Sequence, residues 1–399
     1  MLMTPSSADP ALLQGSSGRA GRLAVLALLA LPLIGCQPHD FPQYPPDYRE
    51  YMYVTNSGSN TVSVYDVVNV RVDREIAVGH DPVALAPSPT RNEVFVVNQG
   101  ELGEFGSISV INAETNSVVA TIPVRRRPAA IALDPKGDLA YVANSGSNNL
   151  SILDLKNRRE IGLIPVDQEP VALRLSPNGD SLVVANSRSG SVTIVSPASR
   201  TVRASFAGCP GADDAVILPD SSKAFVACSA GHQIMAIALA QPKTRPGSTD
   251  AVEALLDVGR GPVQIALKPD GGEVFVANSL SDSISEVITG TDDVLGAYMM
   301  GDDPVDGLVS ADNSTLYVGN LHSQWVTVYS IDNGKRVGAI HVGDGPSAMA
   351  FSAAGHLLFV VDSRSGDVAV VRASSGSLFT FLPAGRNPST IVDKAFKVH

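Results

Sequence analysis

Four residues offer more chemistry than their positions require. Arg174, Asp214, Gln264 and Asp306 stand in segments whose equivalents elsewhere in the chain present small residues such as Ala84, Ala130, Ala172 and Ala348. Convergent carboxylate, amide and guanidinium groups can hold a cation or hydrogen-bond a polar ligand. The competing reading is a hydrated channel in which Arg174 balances Asp214. Arg125, Arg126 and Arg127 form one basic run and Asp302-Asp303 an acidic pair. Of these, Arg126 and Arg127 are the groups placed to draw an anion. His80, His232 and His322 fall in separate segments, so a three-histidine metal site is not expected, although a tetrapyrrole needs only one axial histidine. Trp325, near His322, could stack on a ligand or simply pack. No Ser/His/Asp order and no phosphate-cradling glycine pattern stands out, because the Ser-Gly pairs fall at regular turn positions. The metal and the cofactor stay unassigned at this stage.

These residues sit in a repeat. The segments Tyr53-Val54-Thr55-Asn56, Phe95-Val96-Val97-Asn98, Tyr141-Val142-Ala143-Asn144 and Val183-Val184-Ala185-Asn186 are followed by Phe225-Val226-Ala227-Cys228, Phe275-Val276-Ala277-Asn278, Tyr317-Val318-Gly319-Asn320 and Phe359-Val360-Val361-Asp362. Their last residues are separated by 42, 46, 42, 42, 50, 42 and 42 positions. Each copy reads as a β-branched and aromatic strand, a Ser/Gly/Asn turn and a second alternating strand, which is a hairpin. An outer strand follows, and then a segment opening at Pro82, Pro128, Pro170, Ala212, Pro262, Pro304, Pro346 or Pro388. Four strands in a period of about 42 residues are the signature of a β-propeller blade, with the last segment innermost. Counted outward from the channel, the longer intervals place insertions in a second-to-third-strand loop, Gln99 to Phe105, and a third-to-fourth-strand loop, Gln241 to Thr249.

The chain opens with a hairpin that lacks an inner strand and closes with an inner strand, Pro388 to Ala395, that lacks a hairpin. Joining them predicts an all-β propeller of eight four-stranded blades, the first closed by the C-terminal strand, with seven blades as the alternative. In that ring Arg174, Asp214, Gln264 and Asp306 come from four consecutive inner strands and form a polar arc. Cys209 and Cys228 flank the inner strand of a single blade, which also lacks the usual Pro and Asn, so a disulfide is expected there in an oxidising compartment.

Composition agrees with many short strands: of 399 residues, 17% are charged, 5% are aromatic, and there are 35 Gly and 27 Pro. A net charge of −11 without a long Lys/Arg run leaves nucleic acid no electrostatic footprint. At the N-terminus Arg19 and Arg22 precede the apolar run from Leu23 to Ile34, which is too short to span a bilayer and reads as a signal h-region. Leu33-Ile34-Gly35-Cys36 resembles the lipobox of bacterial lipoproteins, which implies diacylglycerol on Cys36. The expected organisation is a signal peptide over 1–35, a Pro-rich tether over 36–50 and a propeller over 51–399. Gln37 after the cysteine implies, by resemblance to Gram-negative sorting, a lipid-anchored protein of the outer membrane.

The run Tyr53-Val54-Thr55-Asn56-Ser57-Gly58-Ser59-Asn60-Thr61-Val62-Ser63-Val64 resembles the repeat of the YVTN β-propeller family, and similar copies cover residues 51–396. The family implies an envelope or secreted protein, mostly without a defined reaction. Eight copies depart from its expected seven and are similar instead to the haem d1 domain of nitrite reductase and its biosynthetic relatives. The expected function is a non-catalytic binding or scaffold module for a small molecule, glycan or protein partner on the upper funnel face. The alternative is a d1-haem-binding redox or biosynthetic factor, or a lactonase-like hydrolase.

Overall fold

The computed structural model describes residues 42–398. Among these, 32 strands form eight four-stranded antiparallel sheets. The innermost strands contact one another around a central channel. Blade 1 comprises Tyr48–Asn56, Thr61–Asp66 and Arg71–Ala77, with Pro388–Lys397 as its inner strand. Blades 2 to 8 follow in chain order, with inner strands opening at Pro82, Pro128, Pro170, Ala212, Pro262, Pro304 and Pro346. The eight-bladed expectation and its closure are therefore observed. The first strand begins at Tyr48 and not at residue 51, because the C-terminal strand runs on to Lys397 and pairs Tyr48 with Lys397 and Glu50 with Ala395. The signal segment, Cys36 and the tether up to residue 41 lie outside the described residues.

Eight apolar clusters occupy the eight seams between blades. The second strand of each blade is buried on both faces, as Phe95, Val96 and Val97 are. Continuous β-branched and aromatic runs in the repeat reflect that two-sided burial. The hairpin turns and the loops into the inner strands share one end of the ring, the upper face, where Gly58 N donates to Arg386 O and Ser145 N to Arg127 O. The first-to-second-strand turns lie at the lower face.

The repeated Asn at the top of the second strand ties six of the eight blades together. Nδ2 of Asn56, Asn144, Asn186, Asn278 and Asn320 donates to a hydroxyl seven residues on, and that of Asn98 to Ser109 eleven residues on across the inserted loop, at 2.9–3.0 Å. Opposite it, the incoming loop carries glycine in blades 2, 6 and 7, where a Cβ on Gly79, Gly259 or Gly301 would meet the Asn side chain at 2.6 Å, whereas blades 3 and 4 have Arg125 and Asp167 there. Blade 5 replaces all three partners at once. Cys228 stands for the Asn, Met235 for the hydroxyl and Cys209 for the glycine. Cys209 and Cys228 form the expected disulfide, with Cα atoms 4.7 Å apart. Both cysteines are fully buried.

Candidate functional site: the upper face of the ring

Each inner strand carries a register shift near its start, between Pro262 and Gln264 in blade 6 and between Pro304 and Asp306 in blade 7. The side chain after this bulge reaches sideways to the next inner strand. Asp214 Oδ2 accepts from Ile265 N at 3.1 Å, and Gln264 Oε1 accepts from Gly307 N at 2.9 Å. Gln264 Nε2 also donates to Gly307 O at 3.3 Å. Asp306 accepts from Met349 N, the corresponding residue of blade 8. The polar arc thus satisfies backbone groups on neighbouring inner strands that would otherwise face the channel as free sheet edges.

Arg174 Nη2 meets Asp214 Oδ1 at 2.8 Å, so the long side chain closes the gap of two residues along the strand. Asp306 has no such cation. Burial pushes its carboxyl up to about 7, the charge of Asp214 adds to the shift, and the N–H groups of Met349 and Gly307 oppose it. This difference yields a prediction. Asp306→Asn removes a carboxyl that is costly to ionise and keeps one acceptor for Met349 N, so stability at pH 8 should rise by about 1 kcal/mol. Asp214→Asn should instead cost up to about 1 kcal/mol, because it breaks a part-exposed ion pair. Urea unfolding of the two single variants reads both signs.

The upper loops distribute the arginines differently from the arc. Arg125 is bound to Glu160, and Arg126 lies over the ring of Phe105 at 5.7 Å, within cation–π range. Arg127, at φ 47°, opens onto a cleft of about 310 Å3 between blades 3 and 4. Ser145, Asn148, Gln168, Glu169 and Arg188 complete its walls. Arg188 Nε meets Glu169 Oε2 at 2.9 Å, so two guanidinium groups face one carboxylate. Arg188 was missed by the sequence reading, although it was legible there: it replaces the turn glycine that stands at Gly58 and Gly146 in other copies.

On the far side of the ring, His322 Nδ1 lies 3.3 Å from Asp303 Oδ2. Burial raises the Asp303 carboxyl and His322 pulls it back. His232 Nδ1 accepts from Gly261 N at 3.3 Å, and His80 is exposed. Among the described residues no three His, Cys, Asp or Glu side chains gather as a metal-holding group. Trp325 packs edge-on against His341 at 4.8 Å, not against His322. Of the site residues expected from the sequence, Arg174, Asp214, Gln264 and Asp306 meet in an inter-blade arc in the channel and Arg127 lines a basic cleft above blades 3 and 4, whereas Arg126 lies over Phe105 outside that cleft.

Comparison with known proteins fits this architecture. A family described as a seven-bladed β-propeller lactonase matches residues 49–206, and one described as YncE-like β-propellers matches residues 138–372, more than half of the chain. Over 93 residues the chain is 34% identical to YncE of Salmonella typhi, covering 23% of this chain and 24% of that protein. Over 102 residues it is 28% identical to the seven-bladed β-propeller protein Rv1057 of Mycobacterium tuberculosis, 25% of each. The matches thus span about a quarter of these relatives' length. Among solved structures the ring is similar to dihydro-haem d1 dehydrogenase NirN in complex with DHE, with a TM-score of 0.72 at 18% identity, over 88% of this chain and 76% of that one. It is also similar to Citrobacter koseri AztD, with a TM-score of 0.67 at 14% identity, over 88% of this chain and all of that one. At such identities the likeness is one of fold. With eight blades, an Asn-capped repeat and a family match over more than half its length, the chain belongs to the YncE-like β-propeller family.

Proposed function

We propose that this protein is an envelope lipoprotein whose propeller is a non-catalytic binding module, and that its upper face takes an acidic partner over blades 3 and 4. The observation that carries the reading is the cleft of Arg127 and Arg188, a basic sector on a chain of net charge −11. Asn148 and Gln168 add neutral donors beside the two guanidinium forks. Galacturonate oligomers should bind the purified protein more tightly than neutral galactose oligomers, and added salt should weaken the binding. Arg127→Ala with Arg188→Ala should reduce it about tenfold or more. Equal affinity for acidic and neutral oligomers would refute the charge assignment.

Anchoring is the second part of the proposal. Tyr44 stacks on Tyr48 at 4.8 Å, and its hydroxyl lies 3.2 Å from His356 Nε2 on a lower-face turn of blade 8. The described chain therefore enters the ring from the lower face, opposite the basic cleft. Cys36→Ser should abolish acyl incorporation and accumulate uncleaved precursor, read by mass and by palmitate labelling. Normal processing of that variant would remove the anchor from the proposal.

A second reading follows from the likeness to NirN, whose structure holds DHE. The acidic side chains of a tetrapyrrole would suit the same arginine cleft. A Soret-region band in protein purified from native envelope would support this branch, and a clean spectrum would count against it.

A further inference from the structure

The lower face is sealed at one seam after another by contacts between successive first-to-second-strand turns. Thr90 Oγ1 of blade 2 donates to Lys136 O of blade 3 at 3.0 Å, and Asn178 N of blade 4 donates to Ser221 Oγ of blade 5 at 3.1 Å. Asp270 N of blade 6 donates to Asn313 Oδ1 of blade 7 at 3.0 Å. Where a turn glycine follows a turn proline the two pack together: a Cβ on Gly271 would stand 2.9 Å from Pro219, and one on Gly179 would stand 3.8 Å from Pro135. That proline recurs at Pro89, Pro135, Pro177, Pro219 and Pro269 in blades 2 to 6. In blades 7 and 8 it is Ala311 and Ala353.

The seam between those two blades is open. A Cβ on Gly355, the counterpart of Gly271, would meet nothing within 4 Å. A cleft of about 680 Å3 occupies the space, and Ala311, Ala353 and Ala354 are at its walls. The seam between blades 5 and 6 holds a smaller depression of about 450 Å3, lined by Pro219 and the charged groups of Asp220, Lys223 and Asp270. The larger cleft has instead two aromatic rings, Tyr317 and Phe351, at 5.6 Å and 80°. Tyr317 is only 6% exposed, and among the described residues no acceptor takes its hydroxyl proton. Tyr317 lines the cleft, and its hydroxyl keeps a donor free for a molecule bound there.

The rim is polar and carries one charge. Asp312 Oδ1 accepts from the hydroxyls of Ser310 and Ser314 at 2.5 and 2.8 Å and from Ser314 N at 3.1 Å. These bonds hold its carboxyl below the usual range and fix it as an acceptor at the mouth. His356, whose Nδ1 lies 3.0 Å from Ser352 Oγ, forms part of the opposite wall, and burial lowers its pKa, so the ring is neutral at pH 7. No Lys or Arg lines the cleft.

From this geometry we infer a ligand site on the lower face between blades 7 and 8 that takes a neutral saccharide of one or two rings. A sugar presents a C–H face to an aromatic ring and hydroxyl groups to a carboxylate and to a tyrosine hydroxyl. A volume of this size lies within the range of small-ligand pockets. An acidic sugar would meet Asp312 with no cation to offset it, so this site and the basic cleft of the upper face select opposite ligands.

Cellobiose, maltose and chitobiose serve as probes against the full-length protein, read by saturation-transfer NMR and calorimetry. At least one should bind saturably. Asp312→Asn should weaken it about tenfold. Ala354→Trp, on an exposed turn away from the core, should fill the cleft and abolish binding. Arg127→Ala with Arg188→Ala should leave it unchanged, which separates this site from the upper one. Absence of saturation with all three disaccharides, or binding that survives Ala354→Trp, overturns the assignment.

Discussion

Replacing both Cys209 and Cys228 with Ser lowers the unfolding free energy by about 3 kcal/mol, the value chain entropy gives for a loop of this size. The loss is expected because blade 5 has nothing to fall back on. In blades 1, 2, 6 and 7 the top of the second strand is held by an Asn that bonds a hydroxyl on the third strand and packs on a loop glycine. Blade 5 has Met235 where the hydroxyl would be, so a serine at 228 finds no equivalent partner there. The mechanism makes a sharper prediction than the magnitude does. Cys209→Gly, Cys228→Asn and Met235→Ser together rebuild the repeat's own arrangement and should recover more than half of the loss, whereas the two serines alone should recover none. Urea midpoints of the wild type, the double and the triple variant decide it. If the triple variant is no more stable than the double, the disulfide and the Asn cap are not interchangeable.

Stability falls as pH rises from 5 to 8, opposite to the usual acid sensitivity of carboxylates. Three buried carboxyls set the direction. Asp306 is pushed up to about 7 by burial first of all, as described above. Asp362 is raised to about 8, mainly by burial, with the N–H of Gly343 opposing and Asp367 adding to the rise. Asp393 is raised by burial and then by Glu50, across the strand pair that closes the ring. Such groups keep their protons in the folded chain after the unfolded chain has released them near pH 4, so their contribution is fullest below that pH and is lost as pH climbs through the folded values. The lowered carboxyls Asp154, Asp167 and Asp312 act the other way, but only below about pH 4. His356, lowered by burial, opposes the trend up to its unfolded value of about 6.5. Asp303 and Glu286, also raised by burial, act in the same direction, so the raised carboxyls outweigh His356 and leave a net loss of a few kcal/mol between pH 5 and 8.

Asp362 is the most direct test of that window. It occupies the repeat's Asn position, and its Oδ2 accepts from Gly343 N at 2.9 Å, a bond that an amide oxygen can also accept. Asp362→Asn should therefore raise stability at pH 8 by about 1–2 kcal/mol and flatten the pH slope, with little change at pH 5. A steeper slope in the variant would contradict the cause assigned to it.

Periodicity made the ring legible before any coordinates. A 42-residue spacing of eight β-branched segments admits only a closed array of four-stranded units, because each unit exposes two apolar faces that a neighbour must cover. The missing first inner strand and the surplus last one determined closure, and the odd blade with Cys for Asn determined the disulfide. The role of the polar arc was not readable in this way. Whether Asp214 faces a ligand or a neighbouring N–H depends on a bulge that turns its side chain along the ring, and the N–H it meets lies 51 residues away. The basic cleft depended likewise on bringing Arg127 beside Arg188 across a seam. In the lower cleft, the alanines at 311 and 353 were visible as lost turn prolines, but alanine in a turn does not by itself mean space. Only packing determines whether a smaller side chain leaves a gap or lets its neighbours close in, and that is a property of two blades together.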